Sequence, residues 1–168
     1  AYSLAALTQG SVIGVRDPLG VRPLVVGRLG DAWIISSETC ALDIIGAEFV
    51  RDVEPGEIVT ADSDGLHSVK PFTRQAERFC IFEYIYFARP DSVIDGRSVY
   101  EARKRIGREL ARESYVDADI VVPVPDSGVP AALGYSRESG QPFELGIIRN
   151  HYVGRTFIEP TDQIRHLG

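Results

Sequence analysis

The sequence has no methionine, two cysteines and one tryptophan in 168 residues. Cys40 and Cys80 are too few for a disulfide framework, so a reducing cytoplasm is the expected setting. No apolar run approaches the roughly 18 residues that would cross a bilayer. Residues 1–15 lack a basic flank and are interrupted by Ser3, Thr8, Gln9 and Gly10, so they are not read as a signal peptide. Lysine and arginine are outnumbered, 18 against 24 acidic residues, for a net charge of −6. With no cationic run, neither nucleic acid nor an anionic membrane is an expected partner. No internal repeat or low-complexity tract is present. His67, His151 and His166 lack metal-ligand spacing. With no methionine at residue 1 or elsewhere, and no tail after His166-Leu167-Gly168, the sequence is expected to be an internal fragment.

Residues 1–73 read as short strands between tight turns. The expected strands are Tyr2 to Thr8, Val12 to Val15, Val21 to Arg28, Ala32 to Ser36, Phe49 to Val53, Glu57 to Thr60 and Leu66 to Val69. Asp17-Pro18-Leu19-Gly20 has the chemistry of a type I turn, and Glu54-Pro55-Gly56 that of a type II turn with glycine at positive φ. Ser37 is the expected N-cap of a helix over Glu38 to Ile45, with Gly46 as its stop.

The second half changes character. Arg74 to Arg78 is a polar link. Phe79 to Phe87 is apolar and aromatic on nearly every side, which suits a buried helix or a buried strand equally. Ser98-Val99-Tyr100-Glu101 is a capping box that opens a helix to about Glu113, with Ala102, Ile106 and Leu110 on one face. Asp119 to Val124, a helix over Val129 to Glu138 stopped by Gly140 and Pro142, and Phe143 to Ile148 form an expected βαβ unit with parallel strands. The fold class is therefore α+β followed by α/β.

Ligands of open parallel sheets bind beyond the carboxyl ends of strands. Asp126, Ser127, Gly128 and Val129 lie at such an end, before a helix whose amino terminus favours a phosphate. An ordinary β–α loop with an Asp or Ser cap is the alternative. Arg149 to Ile158, with Asn150, Tyr152, Gly154, Arg155 and Thr156, suits a polar anionic ligand. A solvated surface loop is the alternative there.

Three stretches, FCIFEYIYFARPDSVIDGRSVY (79–100), VVPVPDSGVPAALGY (121–135) and RNHYVGRTFIEP (149–160), resemble successive signatures of the glutamine phosphoribosylpyrophosphate amidotransferase family. GVRDPLGVRPL (14–24), SSETCALD (36–43) and VEPGEIV (53–59) resemble the later part of that family's N-terminal-nucleophile glutaminase domain, and related amidotransferases such as asparagine synthetase carry similar patterns. The resemblance implies an α+β glutaminase piece over 1–73 and the start of an α/β phosphoribosyltransferase sheet over 74–168. It implies an enzyme that takes ammonia from glutamine and uses it to displace pyrophosphate from phosphoribosylpyrophosphate. The product is 5-phosphoribosylamine, at the first committed step of purine synthesis.

On the same resemblance, Asp126 to Val129 face the pyrophosphate with Mg²⁺, Arg149 to Ile158 belong to a loop that closes over substrate, and the parent is a homo-oligomer. Tyr84 and Tyr86 lie near the domain interface, a placement that core packing explains as well. Cys80 matches a position where some members hold one cysteine of an iron–sulfur cluster; a buried structural thiol is the other reading. No catalytic residue is assigned. The family's glutaminase uses an N-terminal cysteine, whereas residue 1 is Ala and Cys40 is internal. Its paired-aspartate motif is expected beyond Gly168. Two rivals are a separate phosphoribosyltransferase with an unrelated extension and a non-catalytic module that keeps the folds.

Overall fold

A computed structural model describes residues 1–150 and Tyr152. The chain is mixed α/β with antiparallel sheets. It forms two compact units whose boundary, after Arg103, falls inside a helix.

The first unit is built on alternation. β1 (Ser3–Leu7), β2 (Val12–Arg16), β6 (Ile58–Asp62) and β7 (Gly65–Val69) form one antiparallel sheet in the order β1-β2-β6-β7. β3 (Val25–Leu29), β4 (Ala32–Ser36) and β5 (Glu48–Asp52) form a second, in the order β4-β3-β5. Because successive side chains point to opposite faces, Val26 joins Leu24, Val53 and Val59 in a buried cluster, flanked by Trp33, Ile35 and Leu66. Val25 instead packs with Leu42 and Ala47, and with Ile34, under α1 (Thr39–Ile45). Glycine permits both close approaches. A Cβ on Gly14 would lie 2.9 Å from a Val59 methyl, and one on Gly27 would lie 2.5 Å from a Leu42 methyl.

The turn chemistry holds. Gly20 N–H donates to Asp17 O at 2.9 Å, the Asp17 carboxylate accepts from Leu19 N–H, and Gly20 and Gly56 have φ of 60° and 74°. Gly46 ends α1 in the left-handed region. Three expectations need correction. Glu38, not Ser37, is the α1 N-cap, and its side chain caps no amide of the helix, though Cys40 Sγ donates to its Oε2 at 3.7 Å. Val21 to Leu24 lie outside β3, because Arg16 captures the carbonyls of Gly20 and Arg22 for its buried guanidinium. The aromatic stretch is neither a full helix nor a strand. A single π turn spans Glu83–Phe87, followed by a hairpin of β8 (Val93–Ile94) and β9 (Arg97–Ser98). Asp95 and Gly96 between them both have positive φ, as a two-residue hairpin turn demands.

The polar link stays with the first unit, since Arg78 N–H and Cys80 N–H donate to Leu19 O and Val21 O. Ser98 Oγ accepts from Glu101 N–H at 3.3 Å and opens α2 (Val99–Glu113) as the capping box requires. The expected inner face of α2 is only partly right. Ala102 packs on a buried cluster, but Ile106 and Leu110 are about half exposed.

Within the second unit, α2 meets α3 (Val129–Ser139) through glycine. A Cβ on Gly107 would stand 1.9 Å from Ala131 O, and one on Gly134 would stand 2.0 Å from Lys104 O. Backbone thus lies on backbone at this crossing. Gly140 closes α3 at φ 77°. The expected parallel strands are reduced to one bridge, Val121 with Phe143, bonded by Val121 N–H to Pro142 O and Glu144 N–H to Val121 O. Pro123, Pro125 and Pro142 have no N–H to extend a ladder.

Candidate functional site

The loop between the Val121 bridge and α3 is Val122 to Gly128. Its internal bonds are few: Gly128 N–H donates to Val124 O at 3.1 Å, and Val129 N–H to Asp126 O at 3.3 Å. Two of the amides expected to face a ligand are therefore already used. The peptide bond between Pro125 and Asp126 is cis. Gly128 sits against Val124, whose carbonyl oxygen would lie 2.7 Å from any Cβ there, so glycine is needed for the loop to close on itself. No side chain caps α3, and Pro130 in its first turn has no N–H to satisfy.

Asp126 is exposed and Ser127 half-buried. Arg149 Nη1 reaches Asp126 Oδ2 at 3.0 Å, an ion pair with both side chains more than half exposed. The structure thus brings together two expected site segments, 126–129 and the start of 149–156. Asn150 Oδ1 accepts from Tyr152 N–H at 3.0 Å, and Tyr152 is fully exposed. Gly154, Arg155 and Thr156 lie outside the described residues. An exposed pair of this kind contributes at most about 1 kcal/mol, so it does not prevent an anion from taking Arg149.

Cys80 is half-buried and Cys40 buried, and both are free thiols. Burial pushes the Cys40 thiol up. Among the described residues no group of three His, Cys, Asp or Glu is placed to hold a metal. An iron–sulfur cluster, which takes about four thiolates, does not fit the two present.

The aromatic turn has two faces. Tyr84 and Ala88 are buried with Ile94 and Val99, and Glu83 is 2% exposed beside Arg22. Burial pushes the Glu83 carboxyl up, while Arg22 opposes this. Ile81, Phe82, Ile85, Tyr86 and Phe87 are exposed at 44–58%. Tyr86 therefore lies on the open face, whereas Tyr84 is core, with its hydroxyl on Ile94 O at 2.8 Å. Sequence reasoning missed what holds this turn. Glu38 and Thr39 bind the chain after it, and Arg103 binds its carbonyls. The one available signal was the polar Ser36-Ser37-Glu38-Thr39 run ahead of a helix.

No family model matches the chain. Curated proteins named amidophosphoribosyltransferase do. That of Rhizobium etli is 63% identical over 99% of this chain, that of Mycobacterium tuberculosis 54% over all of it, and that of Archaeoglobus fulgidus 54% over 98%. Over its full length the chain matches amidophosphoribosyltransferases. It spans about a third of their length, 35%, 32% and 36% respectively. Solved structures agree. Glutamine phosphoribosylpyrophosphate amidotransferase from B. subtilis, complexed with ADP and GMP, matches the whole chain with a TM-score of 0.89 at 48% identity, over 37% of its own length. A structure described as the allosteric regulatory enzyme of purine biosynthesis matches with 0.88 at 49%, over 36%. No helix among the described residues is long and apolar enough to cross a membrane.

Proposed function

We propose that this chain is an internal stretch of an enzyme that makes 5-phosphoribosylamine from phosphoribosylpyrophosphate and glutamine, at the first committed step of purine synthesis. The observation that carries the reading is the match over every residue to the B. subtilis amidotransferase, at 48% identity and a TM-score of 0.89. In this reading residues 1–73 are the later part of a glutaminase domain with the N-terminal-nucleophile sandwich, and 74–168 begin a phosphoribosyltransferase domain with a parallel sheet. Two antiparallel sheets with α1 on one of them, and a parallel bridge at Val121, support a glutaminase piece followed by a transferase piece. The enzyme is cytoplasmic and homo-oligomeric, with glutamine and phosphoribosylpyrophosphate as its substrates.

The chain's own residues bind rather than react. Asp126, Ser127, Gly128 and Val129 form the turn ahead of α3, where the helix dipole favours the pyrophosphate. Ser127 supplies a hydroxyl, and Arg149 supplies a guanidinium that can exchange Asp126 for a phosphate oxygen. Asn150, Tyr152, Gly154, Arg155 and Thr156 belong to the same polar stretch of sequence and are substrate-binding residues in this reading. Mg²⁺ carried by the pyrophosphate would neutralise part of its charge. In the loop ahead of α3 the carboxylate that would meet it is that of Asp126, which is exposed. Cys80 as a cluster ligand in a longer parent requires thiolates from outside this chain.

The test is a chimera in which this chain replaces the matching stretch of the Rhizobium etli enzyme. The expected result is phosphoribosylamine formation from glutamine, and also from added ammonia. A soluble, folded chimera that forms no product from either nitrogen source overturns the reading.

A further inference from the structure

A cavity of about 200 Å³ opens within the first unit, lined by Ser3, Arg22, Pro23, Ser37, Glu38 and Glu83. Glu83 is its buried floor, and the exposed Ser37 and Arg22 mark its mouth. Glu83 Oε1 receives no directed hydrogen bond, although Arg22 Nε stands against it as an ion pair. Arg22 itself is fixed from two sides. Ser3 Oγ donates to its carbonyl at 3.2 Å, and its guanidinium carbon lies 4.6 Å from the centroid of the Phe87 ring. Glu38 uses a single oxygen within the fold. Its Oε2 accepts Arg89 N–H at 2.8 Å, the Ser92 hydroxyl at 2.7 Å and the Cys40 thiol at 3.7 Å. Among the described residues, Glu38 Oε1 and both terminal nitrogens of Arg22 have no hydrogen-bond partner.

The lining therefore sets open donors of a guanidinium beside open acceptors of two carboxylates. A bare anion entering here meets Glu38 and Glu83, and a bare cation meets Arg22. A ligand with both charges a few bonds apart meets the opposite sign at each end. Hydrogen bonds to ionised groups are roughly twice as strong as neutral ones. Burial pushes the Glu83 carboxyl up, Arg22 opposes this and Glu38 adds to it, so a positive group beside the two carboxylates relieves their repulsion. Pockets for drug-sized ligands run to roughly 300–1,000 Å³, and this smaller cavity admits only a few heavy atoms. We propose that the cavity binds a small α-amino acid by its charged end. The terminal nitrogens of Arg22 take the carboxylate, and Glu38 Oε1 and the Glu83 carboxylate take the ammonium. The inference does not rest on the function proposed above.

The probe is glycine, titrated into the isotopically labelled 168-residue chain and followed by NMR at the amides of Ser3, Arg22, Ser37 and Glu83. Saturable shifts are expected there and not in β6. Acetate lacks the ammonium and methylammonium lacks the carboxylate, so each should bind about tenfold or more weakly than glycine. Glu83→Gln removes one carboxylate and should weaken glycine by a similar factor while leaving acetate no weaker. Because Glu83 is buried, a second variant guards against misfolding. Arg22→Lys keeps a charge for Glu83 but loses the forked nitrogens, so a folded Arg22→Lys chain should also bind glycine about tenfold more weakly. Glycine shifts that never saturate overturn the proposal, as does acetate or methylammonium binding as tightly as glycine. A folded Arg22→Lys chain with the parent's glycine affinity overturns it as well.

Discussion

Glu57 is 2% exposed, and four donors fill its two oxygens. Arg51 binds it through Nη1 at 2.9 Å and Nη2 at 2.7 Å, Glu54 N–H donates at 2.7 Å, and the Ser68 hydroxyl donates to Oε1. Burial alone would push this carboxyl up. The Arg51, Ser68 and backbone bonds outweigh it and hold the pKa at about 2, against an ordinary 4.5. At about 1.4 kcal/mol per pKa unit, the charged form contributes about 3 kcal/mol to the folded state. Because the folded pKa is the lower one, that contribution is present above about pH 4.5 and is lost as pH falls toward about 2. Glu57→Gln keeps the shape and removes the charge. Unfolding by urea, followed through Trp33, the only tryptophan and one that packs on the same core as Val59, reads the difference. The parent should exceed the variant by about 3 kcal/mol near pH 7 and by less than about 1 kcal/mol near pH 2.5. A gap that is absent near pH 7, or constant across that range, refutes the reasoning.

Gly134→Ala should destabilise the α2–α3 packing by about 3 kcal/mol, since its methyl would enter the Lys104 carbonyl at 2.0 Å; circular dichroism during urea unfolding measures this. Tyr84→Phe should cost about 1 kcal/mol through the lost bond to Ile94 O, read in the same experiment. Gly128→Val in the chimera should raise KM for phosphoribosylpyrophosphate about tenfold, because Val124 O stands 2.7 Å from the new Cβ and the loop has to open. Glutamine hydrolysis without that substrate should stay at the parent rate, and an unchanged KM in a folded chimera would mark the loop as a connector only.

Features set by neighbours in sequence were legible, and those set by distant partners were not. Gly20, Gly46, Gly56 and Gly140 all take positive φ where the turn and stop patterns place them, because the steric reason is local. The inner side of α2 was misjudged at Ile106 and Leu110 because apolar periodicity favours large side chains. At this crossing contact is made by Gly107 and Gly134, whose lack of a side chain is what lets two backbones touch. The strand pattern of 119–124 overlooked that Pro123 and Pro142 interrupt the donor row, leaving one bridge. The loop 126–129 could be placed from strand-then-helix order, but its ion pair with Arg149 spans 23 positions and no local rule selects it. Glu38 makes the same point most sharply. Local chemistry offers Ser37 as the cap for α1. The buried Ser92 hydroxyl has no water to fall back on, and the carboxylate crosses to it instead of capping its own helix. Acceptors near helix starts are therefore assigned by which donor is most deeply buried, and burial is a property of the folded chain.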